Sequence, residues 1–211
     1  MKKRLAVLLL LFLTLFCAPG LRNTALAVPT PPKTVALSAA SNALSISAKS
    51  ATLTRYSAKT LALYQRGKNV RTTATWTTSN PKVAAVKSGV VTAKGFGTCT
   101  ITAKKNGRQA CCKVTVKPGK CAFRWVRKKS AGKVSLCWNQ ASGVSGYQLY
   151  RSTSKTGVFC RVKTFSKASN TAYTNTVTRN KTYYYKLRSY YKTSSGVYLY
   201  GAWSDVQKVR A

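Results

Sequence analysis

The sequence predicts an all-β protein: two consecutive β-sandwich domains that follow a secretory signal peptide. Three stretches predict it. Between Trp76 and Ala103 short apolar-alternating runs are cut by Ser79-Asn80-Pro81, Ser88-Gly89 and Lys94-Gly95-Phe96-Gly97, the pattern of short antiparallel strands joined by tight turns. Asn106-Gly107 then separates two further alternating runs, and it is a strong hairpin signal because a type I′ turn needs positive φ at both central residues. Beyond Lys120 the alternation restarts and supplies seven more short runs before Ala211.

Residues 1–27 have the grammar of a signal peptide. Lys2, Lys3 and Arg4 form a basic start, Leu5 to Phe16 an apolar run shorter than the ~20 residues that span a bilayer, and Ala25-Leu26-Ala27 an A-x-A cleavage site. Phe16 stands where lipoprotein processing at Cys17 would need a small residue. Residues 28–43, with three prolines among the first five positions, read as an extended linker.

The first sandwich is expected over residues 44–117. Leu44, Ile46 and Ala48 alternate, Leu53 follows a break, and Leu61 and Leu63 alternate again, so these runs read as an opening strand pair. The stretch WTTSNPKVAAVKSGVVTAKGFGTCTITA, Trp76 to Ala103, resembles the bacterial Ig-like group 2 domain, which carries a Trp, Thr-Ser-Asn-Pro, Val-Ala, Gly-Val-Val-Thr-Ala and a closing Gly-Thr-x-Thr-Ile-Thr-Ala. Members usually have a Gly before the second opening run, where this chain has Arg55-Tyr56-Ser57. Trp76 is expected to pack into the core. A hairpin centred on Asn106-Gly107 sets Ala103 opposite Ala110, Ile101 opposite Cys112 and Cys99 opposite Val114. It buries Cys99, Ile101, Cys112, Val114 and Val116 and leaves Cys111 outside.

Six cysteines remain after the leader. Cys99, Cys112, Cys121, Cys137 and Cys160 are the candidate disulfide cysteines of an exported chain, and six thiols allow fifteen pairings. Cys99 and Cys112 would be diagonal neighbours at the edge of disulfide geometry, so small buried thiols are the competing reading. Close C-x-x-C pairs are missing, and no metal site is expected.

Residues 118–120 read as the boundary between domains, and residues 121–211 as the second sandwich. Val134-Leu136-Trp138, Tyr147-Leu149, NKTYYYKLRSY and a final strand over GAWSDV resemble the fibronectin type III family. Seven strands with a Trp closing the second also suit an Ig-like or fibronectin-like sandwich. With Leu187 buried, Tyr185 and Tyr183 point inward, and Tyr183 is the candidate corner tyrosine. Tyr184, Lys186, Arg188 and Tyr190 then point outward, joined by Tyr150. This candidate binding face suits stacking on sugars or bases with ionic help. Cross-strand Tyr–Lys and Tyr–Arg pairs would also stabilise an exposed sheet without any ligand, and Trp203 reads as packing.

Composition narrows the function. Lys and Arg number 37 against one acid, Asp205, and there is no His, for a net charge of +36 that becomes +32 once Lys2, Lys3, Arg4 and Arg22 leave with the leader. Paired carboxylates, Ser-His-Asp and Cys-His arrangements and calcium cages cannot be built, so no catalytic residues, no cofactor and no enzyme activity are expected. The two resemblances imply a secreted or cell-surface protein of a Gram-positive-like bacterium, acting in adhesion or scaffolding on a surface glycan, cell-wall polymer or protein ligand. Charge alone implies the alternative, non-specific binding of polyanions such as teichoic acid, extracellular DNA or sulfated glycan. The scattered cations also fit simple solvation. The chain stops just after the last strand, so covalent wall attachment through a sorting motif is not expected, nor is a membrane span after cleavage.

Overall fold

A computed structural model of the chain describes residues 42–211. The expected signal peptide, Cys17 and nearly all of the expected Pro-containing linker lie outside the described residues.

Eighteen strands and one 3-10 turn, Arg71–Thr73, make up the regular structure of the described residues. The first ten strands are β1 (Leu44–Ile46), β2 (Ser50–Thr54), β3 (Ala58–Thr60), β4 (Leu63–Gln65), β5 (Lys68–Asn69), β6 (Thr75–Thr78), β7 (Ala84–Lys87), β8 (Val90–Ala93), β9 (Gly97–Lys105) and β10 (Arg108–Lys117). They form sheets β2-β10-β9-β6, β3-β8-β7 and β1-β4-β5. The β9–β10 hairpin has the register its turn dictates: Ala103 faces Ala110, Ile101 faces Cys112 and Cys99 faces Val114. Asn106 and Gly107 both hold positive φ, 49° and 69°. Cys99, Ile101, Cys112, Val114 and Val116 are buried, and Cys111 is exposed. Trp76 is half-buried against this core, and its indole N–H donates to the Arg71 carbonyl at 2.8 Å.

Of the opening runs, Leu44–Ile46 and Leu63–Gln65 pair antiparallel with Ile46 opposite Leu63, while the stretch through Leu53 joins another sheet. At Ser47 the chain leaves the β1–β4 pair: Ser47 N–H donates to the Ala62 carbonyl, and Ser47 Oγ accepts from Ala62 N–H. Lys49 then accepts from Lys113, and β2 runs parallel to β10. The stretch from Leu44 to Thr54 therefore serves two sheets, a division that the hydrophobic pattern does not mark. Where the resemblance expects a glycine, Tyr56 takes a left-handed φ of 67°. The turn is held by Ser57 N–H on the Thr54 carbonyl and by Arg55 Nε on the Lys94 carbonyl at 3.0 Å.

The remaining strands are β11 (Phe123–Ser130), β12 (Lys133–Trp138), β13 (Gly146–Ser152), β14 (Cys160–Phe165), β15 (Ala172–Thr176), β16 (Thr182–Lys192), β17 (Tyr198–Tyr200) and β18 (Gln207–Arg210). Sheet β11-β12-β15 faces sheet β14-β13-β16-β17, with β18 also paired to β16. Between them lie Val134, Leu136, Trp138, Tyr147, Leu149, Tyr183, Tyr185 and Leu187. Three strands against four or five, all antiparallel, is the Fn3/Ig-like sandwich arrangement. Tyr183 sits at the corner: its hydroxyl accepts from the Thr178 N–H, five residues upstream, at 3.1 Å.

The expected final strand over GAWSDV is instead an irregular passage from 201 to 206 between β17 and β18. Gly201 explains part of it. A Cβ there would stand 2.5 Å from the Gly119 carbonyl, so the 118–120 segment and this passage approach each other more closely than a side chain permits. Phe96, at the tip of the β8–β9 turn, packs against both cores and lies 5.2 Å from the Tyr191 ring.

Ile101 is wholly buried, so Ile101→Ala should cost about 3 kcal/mol in denaturant unfolding through lost burial and the residual cavity. Cys111→Ser, on the exposed side of the same pair of strands, should stay within about 0.5 kcal/mol. Equal effects would mean the hairpin register is wrong.

Candidate functional site

Strand parity brings the predicted face together on the outer side of sheet β14-β13-β16-β17. Lys186 lies across from Tyr150, Arg188 across from Gln148, and Tyr184 between Ser152 and Lys208. Four of the five predicted residues, Tyr150, Tyr184, Lys186 and Arg188, are half-buried on that side.

Tyr190 does not belong to the exposed face. It has outward parity, yet it is only 5% accessible. Tyr198 leans over it with ring centroids 5.5 Å apart, and the Tyr190 hydroxyl donates to the Phe165 carbonyl at 3.2 Å. Opposite it stands Gly146, and the absence of a side chain there leaves room for the ring to lie down on the sheet.

The cations on this face are backed by rings. Lys186 Nζ lies 4.4 Å from the Phe159 centroid and 4.4 Å from that of Trp203. The Arg188 guanidinium lies 4.5 Å from Trp203, 3.8 Å from Tyr200 and 5.8 Å from Tyr150. Tyr200 stacks on Tyr198 at 6.0 Å, and Lys192 Nζ sits 5.6 Å from Tyr198. The result is a continuous column of alternating rings and cations along β16. Arg188 also donates from Nε and one Nη to Gln148 Oε1, at 3.0 and 2.8 Å, which fixes the plane of the guanidinium.

Trp203 reaches the column because the irregular 201–206 passage is pinned to β16. Ser204 N–H donates to the Leu187 carbonyl at 2.8 Å, while Ser204 Oγ accepts from the Leu187 N–H at 2.9 Å. One serine thus satisfies both backbone groups of a wholly buried strand residue. The neighbouring Asp205 is spent on Lys120 at 2.7 Å, with both side chains well exposed, so this ion pair contributes little to stability.

Sequence reasoning missed Gln148, Phe159, Lys192, Tyr198 and Tyr200 as members of the column. The Tyr198–Tyr200 alternation could have indicated two of them. Gln148 needed the β13–β16 register, and Phe159 lies in a loop without periodicity.

The candidate disulfide cysteines Cys99, Cys112, Cys121, Cys137 and Cys160 are all free thiols. Cys99 and Cys112 face Val114 and Ile101, the diagonal relation in which two buried thiols pack as small apolar groups. Among the described residues no group of three or more His, Cys, Asp or Glu could hold a metal, and no helix is long and apolar enough to cross a membrane. A cleft of about 680 Å³ opens beside the Phe96–Tyr191 contact, lined by Asn80, Lys82, Thr98, Thr193 and Ser194 among others. Its polar groups are amides, hydroxyls and one ammonium.

Burial pushes the Cys112 and Cys121 thiols and the Tyr147, Tyr185 and Tyr190 phenols above their usual pKa values. For Tyr190 the neighbouring phenols of Tyr198 and Tyr200 add to the effect. For Tyr185 a hydrogen bond from Asn175 and the Arg151 charge oppose it.

No family model matches this sequence, and no curated protein matches it. Among solved structures the chain is similar to an Fn3-like protein from Clostridium thermocellum, at 28% identity over 43% of this chain and 88% of that one, with a TM-score of 0.33. It is also similar to the FN1–FN3 domains of chicken CNTN1, at 13% identity over 77% of this chain and 63% of that one, with a TM-score of 0.36. A pectate lyase, Pel3 from Pectobacterium carotovorum, is similar at 19% identity with a TM-score of 0.29, over 40% of this chain and 25% of the lyase.

Two predictions arise from this geometry. Ser204→Ala strands the Leu187 N–H and should cost about 2 kcal/mol in denaturant unfolding. A cost below about 0.5 kcal/mol would remove the clamp from the account. The second concerns pH. Groups with raised folded pKa values contribute stability that is full below their unfolded values, about 8.5 for thiols and 10 for phenols, and that is lost as pH rises through the folded ones. With one side-chain carboxylate and no imidazole in the sequence, the melting temperature should be nearly flat from about pH 5 to 8 and fall above about 8.5. Cys112→Ala with Cys121→Ala should flatten the first part of that fall.

Proposed function

We propose that this protein is a non-catalytic, exported surface module that adheres to a linear polyanion through the outer face of sheet β14-β13-β16-β17. In this reading the first sandwich is a bacterial Ig-like group 2 domain that spaces the second, and the second is a fibronectin type III-like domain that carries the contact. The supporting observation is the column itself. Lys186, Arg188 and Lys192 stand along one strand, with Lys186 and Arg188 two residues apart, about 6.8 Å by strand geometry, and no carboxylate stands among them.

The chemistry favours anions over neutral sugars. A neutral glycan would need open ring faces, and the rings of Trp203 and Tyr200 already lie against Lys186 and Arg188. An anion needs free N–H groups. Arg188 spends two of its five on Gln148, and Lys186 has no hydrogen-bond acceptor among the described residues, so both keep donors for a phosphate or sulfate oxygen. Rings that hold the cations in place also reduce the side-chain entropy lost on binding. The established sources of such a charge row are phosphodiester polymers and sulfated glycans, which share regularly spaced oxyanions.

The test is a salt series with a 12-base-pair DNA duplex, poly(glycerol phosphate), heparin and neutral dextran. Three phosphate contacts predict an affinity for the duplex that falls about 40-fold between 50 and 200 mM salt, and no binding of dextran. Lys192→Gln, which removes one exposed cation and leaves the rest of the column in place, should lower the log–log slope by about 0.9. Binding of dextran that survives high salt, or a slope unmoved by Lys192→Gln, would overturn the proposal. The ranking among the three polyanions identifies the source.

A further inference from the structure

The opposite side of the same sandwich carries a second, differently built array. Strand β11 is an edge strand that pairs with β12 on one side, with Val126 and Lys128 across from the inward-facing Leu136 and Val134. Trp125 and Arg127 lie across from Cys137 and Ser135, whose parity is outward. Between Phe123 and Trp125 the register shifts, and the shift places Arg124 beside the Trp125 ring. The two guanidiniums lie 5.6 and 5.1 Å from the Trp125 centroid.

This array differs from the column in one respect that matters for binding. Trp203 is held half-buried between Lys186 and Arg188, whereas Trp125 is 38% exposed. Arg124 and Arg127 beside it are exposed, as are Lys128 and Lys129 further along the strand, and none has a carboxylate partner, since the sole acid in the sequence is taken by Lys120. Lysine on an edge strand guards against strand pairing, which accounts for Lys128 and Lys129. It does not account for a tryptophan left open to solvent between two arginines.

The two arrays lie on the outer faces of opposing sheets, with the whole core between them, about 10 Å from sheet to sheet. One rigid straight polymer cannot lie on both. We propose that Arg124, Trp125 and Arg127 form a second polyanion site, so that a single copy of this protein binds two polymer chains and cross-bridges them. This inference rests on the function proposed above and adds a valence of two to it. Charge complementarity selects the occupant of the second face: another segment of the same kind of linear polyanion.

The test uses purified full-length protein and two pools of the 12-base-pair duplex, one labelled with an energy-transfer donor and one with an acceptor, under low salt and dilute conditions. Wild-type protein should bind two duplexes per chain in a titration and give energy transfer at equimolar protein. Arg124→Gln with Arg127→Gln should reduce the stoichiometry from two to one and abolish transfer, while the first binding event keeps its affinity within about twofold. A charge-matched control, Lys82→Gln with Lys87→Gln in the first sandwich, should leave both stoichiometry and transfer unchanged. A wild-type stoichiometry of one with no transfer overturns the second site and leaves the proposed function standing. Equal loss of transfer in the β11 variant and the control overturns it too, because bridging would then follow bulk charge. Failure of wild-type protein to bind any duplex removes the reading on which the inference rests. Melting curves of each variant confirm that the sandwich is folded, and a variant that unfolds is replaced by Arg127→Gln alone, for which the same outcomes apply.

Discussion

The structure depends on how a chain with 37 cations and one acid manages its charge, and the answer is aromatic rings. Among the described residues there is one ion pair, against thirteen contacts in which a cation lies near an aromatic ring. A ring quadrupole holds a cation in place without neutralising it. An ion pair would cancel the charge, whereas a ring leaves it on display. The Arg55 guanidinium over Tyr56 and Phe96, Arg151 over Tyr183 and Lys163 over Tyr173 repeat the device away from the column. Stability and surface chemistry are thus set by the same contacts.

The column depends in turn on one serine. Because Ser204 replaces a paired strand residue opposite Leu187, the chain between β17 and β18 is free to leave regular geometry while the strand it crosses stays fully bonded. That lets Trp203 stand between Lys186 and Arg188, which are two residues apart on β16. The neighbouring close approach of Gly201 to Gly119 ties the same passage to the segment joining the two sandwiches. Phe96 against Tyr191 supplies a second tie. The column and the junction therefore share the short passage from 201 to 206.

Much of this is legible in the amino-acid sequence. A period of two decides which side of a strand a residue occupies, so Leu187 alone is enough to sort Tyr183 and Tyr185 from Tyr184, Lys186 and Arg188. The Asn106-Gly107 turn sets the Cys99–Val114 and Ile101–Cys112 pairs for the same reason. What parity does not encode is cover. Tyr190 has outward parity and is nevertheless buried, because Tyr198 folds over it and Gly146 makes room. Nor does a local pattern state which sheet a strand joins: β1 pairs with β4 as the opening alternation suggests, but β2, close behind β1, belongs to a different sheet and runs parallel to the distant β10. The Leu187–Ser204 clamp is invisible in the sequence because a serine in an alternating run looks like any solvent-facing residue. Phe159 and Gln148 enter the column only through the register of three strands and a loop. The resemblance to the group 2 Ig-like domain marks the turn at Tyr56 as unusual, and the positive φ there shows why a glycine would fit it.

The four tryptophans give the most direct measurement of the central claim, since each reports a different environment: Trp203 in the column, Trp125 on β11, Trp76 against the first core and Trp138 in the second. Titrating nitrogen-15-labelled protein with the 12-base-pair duplex and following the indole N–H resonances resolves all four at once. The account predicts that the Trp203 signal moves saturably, that the Trp125 signal moves with it or at a higher duplex ratio, and that those of Trp76 and Trp138 stay in place. A stationary Trp203 signal with bound duplex, or four signals that shift in parallel, would contradict it.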